Sequence, residues 1–322
     1  MKHLLVRWVL AGAITGVAQD PLFAADKIRV AVANFNISFM TAGVAANKSF
    51  FRDEGLEPEI IGMRPPVSIT ALASGDIDYT TVFGSVVRAA IRGLPVRVVA
   101  SFIDGSTHAL IARAEFKSIN DLKGRTLAIG SYGASDDISA RMMLKHYGVD
   151  PERQMKIVAL GPDRARFAAL KEGIVDVAVI APPADSEGKK AGFNVLARAY
   201  EVFTFPFVGL GTSLKKITDK PDEVKRTIKA LVRANRFIRD NREESIQILM
   251  QWGRTDRNSA VLAYDASAKV FNADGSIPES GLRLVIDQAK NESNITREIL
   301  SSEVAALSLL REAQKELGVK GR

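Results

Sequence analysis

The sequence predicts an α/β protein built from two similar lobes, with a ligand cleft between them and a helical tail at the C-terminus. Three observations carry this. Short β-rich runs alternate with helix-spaced runs from residue 27 to about residue 200. The order of segments in the first half restarts near residue 125, and ALASGDID at 71–78 returns as ALKEGIVD at 169–176 with Ala, Leu, Gly and Asp in register. Beyond residue 215 the alternation stops and only helical spacing remains.

Taken in order, the chain opens on Lys2, His3 and Arg7 ahead of the apolar run WVLAGAITGVA, and small residues precede the return of polarity at AADKIRV. This has the form of a secretory signal peptide over residues 1–25, since the apolar run is about half the length a membrane span needs. KIRVAVANF at 27–35 reads as the first strand. FMTAGVAANKSFFRDEGL at 39–56 reads as a helix stopped by Gly55, and EPEIIGM as the next strand. A helix through SITALASG, a strand DYTTVF, a helix GSVVRAAIRG and a strand VRVVASF complete the first series. The second runs RTLAIGSYGA, DDISARMMLKHYG, MKIVAL, RARFAALKEG, DVAVIA, DSEGKKAG and FNVLAR, so a parallel sheet is expected in each lobe.

STHALIAR at 106–113 leads out of the first lobe and FPFVGLGTS at 205–213 leads back. The expected organisation is therefore leader 1–25, first part of lobe 1 at 26–107, lobe 2 at 108–207, and the return to lobe 1 with the C-terminal helices at 208–322. In the tail, Pro221 suits a first helical position, and Val224, Ile228, Leu231 and Val232 share one face that can cover the first lobe.

Composition removes several functions. With 47% hydrophobic and 25% charged residues the chain has the balance of a folded, core-forming protein. Cysteine is absent, which excludes disulfides, thiol nucleophiles, thiolate metal sites and a lipidated cysteine. The net charge of +7 falls to about +6 without the leader, but the basic residues are interleaved with acids, as in KKITDKPDEVKRTIKALVRANRFIRDNREE. That is the pattern of solvated helix faces, so a nucleic-acid partner is not expected. No HExxH, GxSxG or metal-spaced set of histidines and acids occurs, so neither a metal nor a cofactor is expected.

The repeated acid belongs to the frame. Gly75 is a natural helix stop, which puts Asp78 at the amino end of a strand expected to run to Phe83, roughly 16 Å away at about 3.3 Å per residue. Ligands of open α/β sheets bind beyond the carboxyl ends. The candidate ligand residues therefore follow the strands: Asn34, Phe35, Asn36 and Phe39 in NFNISFM; Phe83, Gly84 and Ser85; Tyr132, Gly133, Ala134 and Ser135 in SYGASDD; and Ala181, Pro182 and Pro183. The two lobes stop matching where Phe83 faces Ala181, which suits an asymmetric ligand between them, although loops also vary without one. The helix start at Gly133 to Ser135 offers amide N–H groups to an anion, although Asp136 and Asp137 in its first turn can take that place themselves. His108, in the lobe-joining strand, can look into the cleft or serve as a satisfied, partly buried histidine. Phe35, Phe39, Phe83, Phe102 and Tyr132 favour a ligand with an apolar or aromatic body, with Arg64 and Arg164 the nearest cations by topology.

The ordered series NFNISFM, FFRDEGL, ALASGDIDYTTVFGS, LKGRTLAIGSYGASDDISARMML, ALKEGIVDVAVIAPP, GFNVLA and KPDEVKRTIKALVRANRFIRDNREES resembles the nitrate/sulfonate/taurine group of substrate-binding proteins of ABC importers. The resemblance spans the whole mature chain and implies a type II periplasmic binding protein fold. It further implies a small organic anion (a sulfonate, carboxylate or similar compound) held between hinged lobes, transient docking on an inner-membrane permease, a monomeric periplasmic protein and no catalysis. It adds Ser106, beside the crossover, to the ligand residues. The same family resembles an enzyme that makes the thiamine pyrimidine with a cysteine-rich segment, for which this chain has no cysteine. An exported enzyme using His108 or Ser135, or a ligand sensor, is the alternative.

Overall fold

The computed structural model describes residues 25–182 and 184–321; residues 1–24, which hold nearly all of the expected signal peptide, lie outside the described residues, as do Pro183 and Arg322. Two five-stranded sheets form the two lobes. The first contains β1 (Asp26–Val32), β2 (Leu56–Gly62), β3 (Tyr79–Thr80), β4 (Val96–Ile103) and β10 (Val208–Ser213), in the order β2-β1-β3-β10-β4. The second contains β5 (Ala109–Ala112), β6 (Thr126–Ile129), β7 (Lys156–Ala159), β8 (Val177–Ile180) and β9 (Asn194–Arg198), in the order β7-β6-β8-β5-β9.

The sheets are mixed, which corrects the expectation of wholly parallel ones. β1 runs parallel to β2 and β3, and β6 parallel to β7 and β8, but β10 and β5 are each antiparallel to both neighbours. The physical reason is the pair of crossovers. The strand leaving the first lobe and the strand returning to it each enter their sheet at the fourth place, against the direction of the others.

The repeated aspartates hold equivalent positions. The Asp78 carboxylate accepts the N–H of Arg29 at 2.7 Å, and Asp176 that of Thr126 at 2.9 Å. Each acid therefore pins the start of its strand to the start of the neighbouring one, and Lys216 neutralises Asp78 at 2.8 Å. Gly75 caps the preceding helix, Pro65–Ser74, with φ 84°, a conformation that side-chain-bearing residues adopt at a cost.

The single helix expected over 39–56 is two, Met40–Asn47 and Phe50–Asp53, broken at Ser49, whose φ is 62°. The break turns Phe51 into the core and sets Phe50 edge-on to Phe237 of the tail. The 20-residue helix Pro221–Asp240 buries Val224, Ile228, Leu231 and Val232 against the first lobe. Backbone bonds from Ser101 to Gly275 and from Val98 to Val304 fasten later tail segments to β4. The second sheet carries one apolar cluster on each face. Among the described residues no helix is long and apolar enough to cross a membrane.

Candidate functional site

The carboxyl ends of β1, β2, β6, β7 and β8 face one another across the cleft, and the loops that follow them build its walls. After β1, Asn36 turns the chain by accepting the N–H of Ser38 at 3.0 Å, which starts a 3-10 turn at Ile37–Phe39. After β6, Gly130 and Ser131 lead to the helix Ser135–His146. After β7, Gly161 and Pro162 lead to the helix Asp163–Lys171.

The lobes touch here. Asn36 donates its side-chain amide to Asp163, Asp163 N–H donates to Asn34 Oδ1 at 3.4 Å, and Ile37 N–H donates to the Pro182 carbonyl at 3.3 Å. Further out, Arg164 Nη2 donates to the carbonyls of Gly253 (2.6 Å) and Arg254 (2.8 Å), and Thr255 donates to Glu187 at 3.0 Å. The clamp is closed.

Two cavities remain between the lobes and share Asn34 and Pro162. The larger, about 490 Å³, is walled by Phe35, Trp252, Ala181 and Ala184, with Asp163, Arg164, Glu187 and Arg254 among its charged groups. That volume lies within the range of small-molecule sites. Phe35 and Trp252 meet edge to face at 4.8 Å, Trp252 is held by an N–H bond to the Asn36 carbonyl at 2.9 Å, and Phe35 is 47% exposed, an apolar surface offered to a ligand. The smaller cavity, about 30 Å³, lies at the centre and is lined by Asn34, Phe39, Arg64, His108, Ser131, Ser135, Asp136 and Arg166.

Arg166 organises the central wall. It is fully buried and bonds Val179 O at 2.7 Å, the Gly161 carbonyl and the Asp163 carboxylate, with Asp136 at 3.4 Å. Gly130 is required beside it, because a Cβ there would lie 2.6 Å from both the Arg166 guanidinium and the Asp136 carboxylate. Of the amides expected to greet an anion, that of Gly133 is taken by the Asp137 carboxylate at 2.8 Å, and Asp136 accepts the N–H of Gly130 in the loop before the helix. Burial pushes the Asp137 carboxyl up, opposed by the Gly133 N–H and by Arg141. The Asn34 amide nitrogen, the Ser131 and Ser135 hydroxyls and the exposed Arg64 guanidinium have no side-chain partner among the described residues. Burial also pulls His108 down to about 4, against the opposing charge of Asp163, so its ring is neutral at pH 7.

The sequence-predicted residues separate into groups. Asn34, Phe39, His108 and Ser135 line the central cavity, and Asn34, Phe35, Asn36 and Ala181 the larger one. Pro182 supplies the carbonyl that Ile37 binds. Ser106 is fully buried behind His108, with its hydroxyl 3.1 Å from Nδ1. Ser85, Tyr132, Gly133 and Ala134 line a separate groove with Arg88 and Arg92, and Gly84 sits near Arg88. Phe83 is a correction: β3 ends at Thr80, Phe83 begins the helix Phe83–Ile91, and its ring is fully buried in the first-lobe core. Phe102 is buried in the same core. Trp252, Arg166 and Arg254 were not read from the sequence. Arg166 leaves a trace there, since it shares a helix face with Ala169 and Leu170 where an apolar residue is expected.

Two α/β lobes closing on a cleft at the carboxyl edges of both sheets define a hinged, two-lobed binding fold. The chain belongs to the family described as NMT1/THI5 like, whose profile matches residues 36–245. The alkanesulfonate-binding protein SsuA of Xanthomonas axonopodis pv. citri, solved with MOPS, superposes with TM-score 0.72 at 17% identity, over 90% of this chain and 99% of that one. The periplasmic nitrate-binding protein NrtA of Synechocystis PCC 6803 superposes with TM-score 0.73 at 13% identity, over 92% and 90%. At such identities the likeness is one of fold. In sequence, the riboflavin-binding protein RibY of Chloroflexus aurantiacus is 28% identical over 227 residues, 67% of this chain and 63% of RibY. The pyrimidine phosphate synthase THI12 of Saccharomyces cerevisiae is 30% identical over 141 residues, 42% of this chain and 40% of the synthase.

Proposed function

We propose that the protein is the ligand-capturing component of an ABC importer, exported to the periplasm as a monomer after loss of its leader and docking transiently on an inner-membrane permease. The observation that carries this reading is the cleft itself: a cavity of about 490 Å³ between two closed lobes, with the Phe35–Trp252 pair on one side. The ligand is a small organic compound with a flat apolar body against that pair. Its anionic group is met by Arg64 in the wall of the smaller cavity, the Gly133 N–H being taken already by Asp137. Asn34, Ser131 and Ser135 are free to complete its hydrogen bonds. RibY is described as riboflavin-binding, which supports a flat body, and SsuA as alkanesulfonate-binding, which supports an anionic group.

Thermal unfolding against a panel of aromatic carboxylates, sulfonates and flavins tests this. A compound at a hundred times its dissociation constant adds about 2.7 kcal/mol, and Trp252→Ala or Arg64→Ala should remove most of that gain. If the gain survives both substitutions, the site is elsewhere. The partial match to the yeast synthase favours catalysis as the second reading, and chemical change of a bound compound during incubation would establish it instead.

A further inference from the structure

The loop that follows the helix Arg242–Gly253 walls the larger cavity at Trp252, Gly253 and Arg254. It is fastened almost residue by residue. Trp252 donates its ring N–H to the Asn36 carbonyl at 2.9 Å, and the carbonyls of Gly253 and Arg254 accept from Arg164 of the other lobe at 2.6 and 2.8 Å. Thr255 donates to Glu187 at 3.0 Å, and Asp256 accepts the Ser259 N–H at 3.0 Å to start the next helix. In this loop the Arg254 guanidinium alone has no hydrogen-bond or ion-pair partner among the described residues, and it is exposed.

The backbone makes that freedom informative. Arg254 stands at φ 49° and ψ 55°, the left-handed cap that closes its helix, with the Thr255 N–H bonded to the Met250 carbonyl at 3.1 Å. Gly or Asn fits such a cap at least cost, and a longer side chain strains it. No bond within the turn uses the arginine side chain, so what the residue adds over glycine is a cation in the cavity wall. Arg164 pins the same turn from the opposite lobe, which fixes the point from which that side chain starts.

Charge in this wall is unbalanced. Asp163 is held by Arg166 and Asn36, and Glu187 accepts from Thr255. Arg164 and Arg254 are ion-paired to no acid among the described residues, which leaves two cations against the single charge of Glu187. The smaller cavity, which shares Asn34 and Pro162 with the larger, has Arg64 in its own wall.

We propose that Arg254 binds a second anionic group, so that the captured ligand is a flat dianion: one acidic group reaches Arg64 in the smaller cavity and the other, beyond the Phe35–Trp252 pair, meets the Arg254 guanidinium. This rests on the ligand-capture reading and adds to it the number and placing of the ligand's charges. A guanidinium offers a planar fork of donors to a carboxylate or sulfonate, and a neutral ester in the same place gives up the charge-assisted bonds.

Isothermal titration calorimetry with terephthalate, isophthalate and a naphthalene dicarboxylate, each beside its monomethyl ester, tests this, because the members of a pair differ in charge far more than in shape. At least one diacid should bind about fivefold or more tightly than its ester, the range of a partly exposed ion pair. The preference should vanish in Arg254→Gly and in Arg254→Asn, both of which suit the left-handed cap and should melt no lower than the wild type. Arg257→Ala, which removes a nearby cation paired with Glu243, should keep it. A preference that survives both Arg254 substitutions, one that Arg257→Ala also abolishes, or no preference for any diacid overturns the assignment. Melting below the wild type in both Arg254 variants would give the side chain to the turn and overturn it too. If monoanions of the panel above bind while diacids gain nothing, capture stands and the dianion falls; if no compound of either set raises the melting temperature, the capture reading fails as well.

Discussion

Replacing Arg166 by Met, which keeps the length of the stem, should cost the folded protein about 3–5 kcal/mol. The magnitude follows from what the guanidinium touches. It is the buried counter-charge of both Asp163, which is 5% exposed, and Asp136, which is 8% exposed, and it also bonds the carbonyls of Val179 and Gly161. Met fills the space but leaves two buried carboxylates with one cation fewer and two carbonyls unpaired, the circumstance in which breaking a buried pair is most costly. Urea unfolding followed by circular dichroism gives the difference directly; in a chain of this size it also lowers the melting temperature by roughly 6–20 °C. Adding Asp163→Asn to Arg166→Met should recover at least about 1 kcal/mol of coupling, since the stranded charge is then gone. A single-substitution loss under about 1 kcal/mol, or no coupling, would refute the view that Arg166 holds the central wall together.

Three further outcomes follow from particular contacts. His108, held near 4 against an ordinary value of 6.5, binds a proton on unfolding across that interval. Wild-type stability should therefore fall by about 3 kcal/mol more than that of His108→Asn as pH drops from 6.5 to 4, with no further divergence below; parallel curves would contradict the burial of a neutral ring. Gly43→Ala places a Cβ 2.6 Å from the Trp252 ring, so that ring must leave its contact with Phe35. The substitution should cost about 1–3 kcal/mol and change the emission of Trp252, the only tryptophan among the described residues, while circular dichroism stays the same. Ser49→Gly relieves a left-handed turn at φ 62° and should raise stability by about 0.5–1 kcal/mol; a loss would show that the serine side chain is needed there.

How much was legible in the sequence depended on the range of the interactions involved. The lobes, their order and the roles of Asp78 and Asp176 rest on local periodicity and on an internal repeat, and both signals lie in contiguous residues. The expected strand at 78–83 shrank to Tyr79–Thr80 because the apolar run YTTVFGSVV serves a strand end and a helix start equally well. Phe83 was consequently aimed at the cleft when the helix turns it into the core. The antiparallel strands β5 and β10 were hidden for a related reason, since direction within a sheet is set by the crossovers and leaves no mark on a short apolar segment. Trp252 reaches the cleft through packing on Gly43, more than two hundred residues away in sequence, and no spacing rule carries that distance. Arg64 was legible as a cation by topology, whereas the lack of a side-chain partner for it among the described residues follows from Arg166 holding the two buried acids.

A cleft that captures a small molecule between its lobes should bring that molecule through purification, and this can be weighed. Native mass spectrometry of freshly purified protein, before any dialysis or unfolding, addresses it most directly. Part of the wild-type population should carry the added mass of one small organic compound, released by unfolding and refolding, and absent from Trp252→Ala. A bare chain mass in every preparation, with Trp252 emission unchanged by a cell extract, would contradict it.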